Sequence, residues 1–132
     1  MMKFMAIISC FTVASTFGQS TLSLKDTKWI ARISDTCVDT VTITKNSRYI
    51  EYSCELNEHR WGTYRISRDT LYLYQERREY DKEDSTEHSR GKALFKYVLQ
   101  GDGLRLVYSQ PNLHRPPVKT FDPGFVLRRV KR

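Results

Sequence analysis

The segment CVDTVTITKNSRYIEYSCELNEHRWGTYRISRDTLYLY, residues 37–74, carries the strongest structural signal in this chain. Apolar and polar residues alternate through it in four runs separated by turn-forming residues, which indicates four half-buried antiparallel strands. A two-residue turn at 45–46 would place Cys37 opposite Cys54. Because a slip of one residue would move every side chain of one strand to the other face, the alternation and the cysteine pair predict the same register.

That register predicts which side chains of the four strands point inward. The third strand would direct Ile50, Tyr52, Cys54 and Leu56 inward. A three-residue loop at 57–59 and a tight turn at 68–69 would then turn Gly62, Tyr64, Ile66, Leu71 and Leu73 inward and Trp61 outward. A two-residue loop at the first position would reverse the face of the fourth strand.

The flanking sequence supplies the remaining strands. Residues 28–33 predict a first strand in which Trp29 plugs the core. A hairpin around Gly101 and Asp102 joins 93–99 to 104–108, with predicted pairs Leu99–Leu104, Tyr97–Leu106 and Phe95–Tyr108. Residues 125–130 predict a last strand whose pairing with the first would close the sheet. We therefore predict an all-β fold, an eight-stranded antiparallel up-and-down barrel that is closed or partly open.

The first eighteen residues have the sequence pattern of a signal peptide. One lysine near the start is followed by an apolar run and by small residues at Thr16 and Gly18, which places a mature N-terminus at Gln19. The run is shorter than the about 20 apolar residues that span a bilayer. We expect residues 19–132 to form one secreted or periplasmic domain that is not transmembrane. Lipid attachment at Cys10 is the alternative.

Removal of the signal peptide would leave two cysteines, Cys37 and Cys54. In an oxidising compartment an even pair that faces across two strands predicts a disulfide. The spacing of the two cysteines does not match a CxxC motif, and no histidine is evident as a partner. Both observations argue against a redox or metal-binding pair.

Residues 75–92, QERREYDKEDSTEHSRGK, interrupt the strand pattern. Tyr80 is the residue in this segment suited to a core, so the simplest interpretation is a solvated connection. The alternative is a lid over the mouth of the barrel, because long loops in compact domains often bind ligands.

The charge of the chain favours acidic partners. The formal net charge of +7 falls to +6 when Lys3 is removed with the signal peptide. Such a charge attracts an acidic cell-envelope component without selecting among acidic molecules. The basic residues at the C-terminus are typical of solubilising charge, and the outward Tyr72 and Tyr74 are typical of sheet surfaces. We therefore expect no nucleic-acid partner. We expect a monomer.

Motifs for catalysis are missing from the sequence. It contains no GxSxG, HExxH, Walker or dinucleotide-binding pattern. The histidines, His59, His88 and His114, fall in separate loops or loop edges, and the acidic residues near Glu76 are interspersed with arginines. We therefore expect no enzyme activity, no metal site and no cofactor.

Four features of the chain are similar to a known family. The early Trp29, the strand SRYIEYSC, the hairpin GTYRISRDTLYLY and the closing strand FVLRRV resemble small secreted lipocalin-like domains of Bacteroidetes-type bacteria. The resemblance spans most of residues 19–132. It implies a barrel that binds a ligand or partner, and it implies no catalytic residues.

The favoured functional hypothesis is a binding protein for a small apolar or amphipathic ligand. Five predicted inward side chains would line its interior: Tyr52, Tyr64, Phe95, Tyr97 and Leu106. Ordinary core filling explains the same residues, because small barrels can be filled by their own side chains. The second hypothesis is a surface-acting interaction protein, such as an inhibitor of a lytic enzyme, that uses the loops at 57–61 or 109–124 and has a solid core.

Overall fold

The structure is a computed structural model that describes residues 23–80, 92–118 and 125–131. Eight antiparallel strands each pair with the next in chain order to form a closed barrel. The strands are β1 (Thr27–Ser34), β2 (Cys37–Ile43), β3 (Arg48–Ser53), β4 (Glu58–Ser67), β5 (Thr70–Tyr80), β6 (Ala93–Gln100), β7 (Gly103–Gln110) and β8 (Val126–Arg129). The predicted fold class is confirmed.

The last strand closes the barrel by pairing with the first. Trp29 of β1 lies opposite Arg129 of β8, and Ile30 lies opposite Arg128. This pairing was predicted. It removes two sheet edges whose unpaired backbone groups would otherwise bind other strands.

Apolar side chains fill one half of the barrel. We call the end with the β2–β3, β4–β5 and β6–β7 turns the lower end, and the opposite end the upper end. Near the lower end the most completely buried apolar side chains are Trp29, Ile43, Leu71, Leu104 and Leu127. The predicted role of Trp29 as a core plug is confirmed, because this residue is 1% exposed.

Hydrogen bonds attach the segment before β1 to this core. The Trp29 indole Nε1 donates to Thr27 Oγ1 at 2.9 Å. The Thr27 hydroxyl in turn donates to the Leu24 carbonyl at 2.5 Å. Leu24 is consequently held in the core, where it is 2% exposed.

The predicted disulfide joins Cys37 to Cys54, with the two Cα atoms 5.5 Å apart. In the chain-entropy model, closing a loop of this size stabilises the folded state by about 3 kcal/mol. The Cys54 amide also donates to Asp39 Oδ1 at 2.8 Å, which fixes the backbone beside the bridge. The cysteine pairing is confirmed.

The register predicted together with that cysteine pair is wrong by one residue. Val41 lies opposite Glu51 rather than Ile50. The β2–β3 loop has three residues instead of two, and Ser47 has a φ of 60°. This is the geometry of a hairpin loop in which a left-handed residue follows a type I turn. The extra residue turns Tyr49 and Glu51 inward and leaves Ile50 outward, 40% exposed.

β4 begins before its predicted start, but its inward face is as predicted. A turn at 54–57 replaces the loop expected at 57–59. The next turn sets Ile66 opposite Leu71, as predicted. Trp61 lies on the outer face, also as predicted, where the Arg77 guanidinium is 5.4 Å from the centroid of its ring.

β5 extends beyond its predicted end. Residues 75–80 belong to the strand, whereas a loop was predicted for 75–92. These residues continue to pair with β4, which supplies partners for their backbone groups. The remaining positions, 81–91, lie outside the described residues, so the predictions of a solvated connection and of a lid stay untested there.

A bulge between β4 and β5 changes which residues point inward. The pairing shifts by one residue between Trp61 and Gly62. A Cβ at Gly62 would lie 1.8 Å from the Tyr74 carbonyl oxygen, so the close approach of the strands requires glycine. Because one extra residue reverses the alternation, Arg78 rather than Arg77 turns into the barrel.

The β6–β7 hairpin also contains a bulge. Near the turn its pairing is as predicted, and Tyr97 lies opposite Leu106. Beyond the bulge, Phe95 lies opposite Ser109 and not opposite Tyr108. The shift leaves Tyr108 on the outer face and buries Ser109.

Candidate functional site

Four charged side chains lie inside the upper half of the barrel, and we call them the charge cluster: Glu51, Glu58, Arg60 and Arg78. They come from β3, β4 and β5. The Glu58 side chain is 1% exposed, whereas the Arg78 side chain is 28% exposed at the edge of the cluster. Charged residues are rarely buried this deeply unless they are paired.

Glu58 connects the two arginines. Its Oε2 accepts a hydrogen bond from Arg60 Nη2 at 3.0 Å, and its Oε1 lies 3.4 Å from Arg78 Nε. Arg60 Nη1 also donates to Glu51 Oε1 at 3.5 Å. The four side chains therefore form a chain of alternating charges. In such a buried chain the loss of one member leaves its neighbours without compensation.

The protonation of the cluster reflects its burial. Burial raises the pKa of Glu51 against the opposing attraction of Arg60. Burial disfavours the charge of Arg60, but the carboxylates of Glu51 and Glu58 outweigh it and raise the pKa of Arg60. Arg60 therefore stays cationic, while Glu51 holds a proton more readily than a solvated glutamate does.

Aromatic side chains form the wall beside the cluster. The Arg60 guanidinium lies 5.1 Å from the centroid of the Phe95 ring, within the range of a cation–π contact. Tyr97 and Tyr49 are buried next to it. Burial, followed by the charge of Glu51, raises the pKa of both tyrosines, so their hydroxyls stay protonated at neutral pH.

Five buried polar atoms in this region make no hydrogen bond within the part of the chain that the structure describes: Tyr49 Oη, Glu51 Oε2, Glu58 Oε1, Arg60 Nε and Arg78 Nε. Glu58 Oε1 and Arg78 Nε still form the ion pair at 3.4 Å described above. Leaving each of the other three atoms without a partner costs about 1–3 kcal/mol. The two guanidinium nitrogens are donors and the two carboxylate oxygens are acceptors. Together these atoms can bind a group that both donates and accepts hydrogen bonds.

Four of the five predicted ligand-binding residues face the interior, and the structure brings three of them together. Phe95 and Tyr97 are buried on β6, and Leu106 lies opposite Tyr97 on β7. Tyr64 is partly buried nearer the lower end, where its hydroxyl lies 3.4 Å from the Thr44 carbonyl. The ligand-binding role of these residues stays a prediction.

The predicted inward position of Tyr52 is wrong. Since β3 is shifted by one residue, Tyr52 lies on the outer face opposite His59. The centroids of these two rings are 4.7 Å apart, and the His59 ring lies 5.8 Å from that of Trp61. Tyr52 thus contributes to an aromatic strip on the outside of the barrel.

The charge cluster was missed from the sequence, although part of its signal was present. Glu58 and Arg60 continue the same alternation that correctly placed Gly62 inward. Extending that alternation toward the start of β4 would have found both residues. Glu51 and Arg78 carry no such signal. An extra loop residue exchanges the inner and outer faces of β3, and a bulge does the same to the end of β5.

Comparison of the chain with protein-family models, with curated proteins and with solved structures finds no match in any of the three. The closed eight-stranded barrel is consistent with a lipocalin-like fold. Over the described ranges, no three His, Cys, Asp or Glu side chains converge on a position that could hold a metal ion. Helices long and apolar enough to cross a membrane do not occur in 23–80, 92–118 or 125–131.

The raised pKa of Glu51 predicts how stability depends on pH. A carboxyl that binds its proton more tightly when folded favours the folded state most at acidic pH, and this contribution falls as pH rises through the folded pKa. We therefore expect the free energy of unfolding of the wild type, minus that of Glu51→Gln, to decrease from about pH 4 to about pH 7. Urea titrations across this range measure the difference.

The control for this prediction is Asp35→Asn, which removes a carboxylate from an exposed turn. The difference in the free energy of unfolding between the wild type and Asp35→Asn should change little over the same pH range. A difference for Glu51→Gln that grows with pH would mean that attraction to Arg60 outweighs burial, and it would contradict the prediction.

Proposed function

We propose that this protein is an exported barrel that binds a small amphipathic ligand at its upper end. The polar end of the ligand contacts the charge cluster, and its apolar part packs on Phe95 and Tyr97. The observation that carries the proposal is a set of three atoms, Tyr49 Oη, Glu51 Oε2 and Arg60 Nε, that are buried beside an aromatic wall and have no hydrogen-bond partner among the described residues. Convergent polar groups on an apolar surface are what small-molecule sites provide.

The composition of the cluster supports a particular chemistry for the polar end. The charges of the two carboxylates and the two guanidinium groups nearly balance. A ligand with a full net charge would therefore leave an uncompensated charge in a buried site. A hydroxyl, amide or zwitterionic group avoids that cost and can use both the donors and the acceptors. The filled lower half supports a small ligand over a long-chain one.

Export is part of the proposal and rests on two supports. The first 18 residues have the pattern of a signal peptide, although they lie outside the described residues. The Cys37–Cys54 disulfide suits an oxidising compartment. That the protein acts as a monomer without catalytic activity or cofactor also belongs to the proposal.

Native mass spectrometry of the protein purified from a periplasm tests this function. We expect a noncovalent adduct on the wild type, with occupancy at least about tenfold lower on Arg78→Gln, because that change removes the positive charge and the two Nη donor groups at the edge of the cluster. Arg65→Gln is the matched control, since Arg65 lies on the outer face over Tyr72. Its adduct should match that of the wild type.

A fluorescence titration with N-phenyl-1-naphthylamine, a neutral amphipathic probe, provides a second measurement. Binding should raise the fluorescence of the probe, and an adduct extracted from the periplasmic protein should displace it. Equal adduct occupancy on Arg78→Gln and Arg65→Gln would overturn the location of the site. A bare wild-type mass, together with no fluorescence change at the highest soluble probe concentration, would overturn the function.

A second candidate is a surface-acting protein, for instance an inhibitor of a lytic enzyme. The observation that favours it is the outer aromatic strip of Tyr52, His59 and Trp61, of which the last two belong to the predicted contact segment 57–61. Aromatic side chains are enriched in the centres of interfaces. Inhibition of a lysozyme by the wild type, reduced by Trp61→Ala and retained by Arg78→Gln, would favour this candidate over ligand binding.

A further inference from the structure

A basic cleft lies outside the lower end of the barrel, away from the charge cluster. Its volume is about 880 Å³, and it is formed by the segment before β1, the end of β2, the β6–β7 turn and the end of β8. Four cationic side chains line it: Lys25, Lys28, Arg129 and Lys131. Buried Thr27 and Ile43 form part of its floor.

The two acidic residues that line the basic cleft are already paired. Asp26 Oδ2 lies 3.2 Å from Lys45 Nζ, and Asp102 Oδ1 accepts a hydrogen bond from Arg128 Nη1 at 3.0 Å. Neither Lys45 nor Arg128 belongs to the lining. Each carboxylate is therefore balanced by a cation from outside the cleft.

The four lining cations have no such balance. Within residues 23–80, 92–118 and 125–131, none of them forms an ion pair with a carboxylate. Like charges held around one concave surface repel each other and attract a multivalent anion. The charge of the cleft thus identifies the class of ligand that would fit it.

The backbone holds this surface in place. The Arg129 amide donates to the Asp102 carbonyl at 3.0 Å, and the Val130 amide donates to the Lys28 carbonyl at 2.8 Å. β1, β8 and the β6–β7 turn are therefore fixed relative to one another at the cleft. A rigid wall reduces the entropy cost of ordering side chains around a ligand.

We propose that the basic cleft binds a phosphate-bearing anion, either on a soluble molecule or in the headgroup of a lipid. Phosphate offers several acceptor oxygens, one negative charge as a diester and more than one as a monoester or pyrophosphate, which suits three lysines and one arginine around a small volume. The apolar side chains of Ile43 and Val130 in the lining would contact the group that carries the phosphate. This site does not depend on the ligand proposed for the charge cluster.

Two probes test the proposal and distinguish the sources of phosphate. Inorganic pyrophosphate is titrated by calorimetry at low and at physiological ionic strength, and vesicles of phosphatidylglycerol are compared with vesicles of phosphatidylcholine. The variant Lys28→Gln/Arg129→Gln should lower affinity at least about tenfold. Its matched control is Arg32→Gln/Arg115→Gln, which removes the same charge at exposed positions outside the cleft and should lower affinity by no more than about twofold.

Specific loss of pyrophosphate binding in the cleft variant supports a soluble phosphorylated ligand, and specific loss of vesicle binding alone supports a lipid headgroup. Equal losses in the cleft variant and the control would mean attraction by net charge, and they would overturn the proposal. Absence of binding to both probes would also overturn it.

Amide chemical-shift changes in the wild type give a measurement that does not rely on any variant folding. Pyrophosphate or short-chain phosphatidylglycerol should shift the amides of 25–28, 102 and 129–131. Shifts confined to other surfaces would place the anion elsewhere and contradict the assignment.

Discussion

Replacement of Glu58 by alanine is expected to lower the free energy of unfolding by about 3–5 kcal/mol. The carboxylate contacts both Arg60 and Arg78 and is 1% exposed, so its removal leaves two guanidinium groups with reduced compensation inside the barrel. Urea denaturation monitored by tryptophan fluorescence and circular dichroism measures the loss. The change should appear as a lower midpoint with an unchanged dependence on urea concentration.

The structure offers a matched control in Glu76→Ala. The Glu76 carboxylate lies 3.0 Å from Arg48 Nη2, the same distance that separates Glu58 from Arg60, but both partners are about half exposed. An exposed ion pair contributes about 0–1 kcal/mol. Losses of similar size for Glu58→Ala and Glu76→Ala would contradict the expected effect of burying the cluster.

This comparison also bears on function. Buried ion pairs often contribute no more stability than well-packed apolar side chains of similar volume. The lower half of the same barrel is filled by apolar residues. A charge cluster in the upper half is therefore compatible with the binding site proposed above.

Replacement of Trp29 by alanine is the second change with a large expected effect, a loss of about 3–5 kcal/mol in the free energy of unfolding. The substitution leaves a cavity where β1, β2 and β8 meet. It also removes the indole donor to Thr27, whose hydroxyl holds Leu24 in the core. Thermal and urea unfolding measure the total loss.

The control for that change is Trp61→Ala. Trp61 lies on the outer face over Arg77, so its removal creates no cavity and should cost about 1 kcal/mol. Trp29→Phe separates the two contributions at the core position, because it keeps most of the ring and loses the donor. A loss for Trp29→Ala no larger than that for Trp61→Ala would contradict the role of Trp29 as the core plug.

Much of the architecture could be predicted because neighbouring strands follow one another in the chain. Alternation identified the eight strands, and the tight turn at 68–69 placed Ile66 opposite Leu71. The even pair of cysteines predicted the bridge from Cys37 to Cys54. Each of these inferences uses contacts between segments that are close in sequence.

The candidate site was harder to predict because it depends on single residues inserted into loops and strands. A third residue in the β2–β3 loop, with Ser47 in the left-handed region, turns Glu51 inward in place of Tyr52. A bulge beside Gly62 turns Arg78 inward in place of Arg77. Either inserted residue exchanges the inner and outer faces of the strand that follows it. Neither insertion changes the apolar pattern of the sequence enough to be recognised.

Strand order, the disulfide and the tryptophan plug thus follow from alternation and spacing along the chain, whereas the structure decided that the barrel closes. The charge cluster and the basic cleft depend on three-dimensional pairing. Side chains in a strand alternate with a period of two, so one residue of offset exchanges its inner and outer faces. That offset is set by backbone contacts between strands, such as the approach of Gly62 to the Tyr74 carbonyl, which local sequence does not specify.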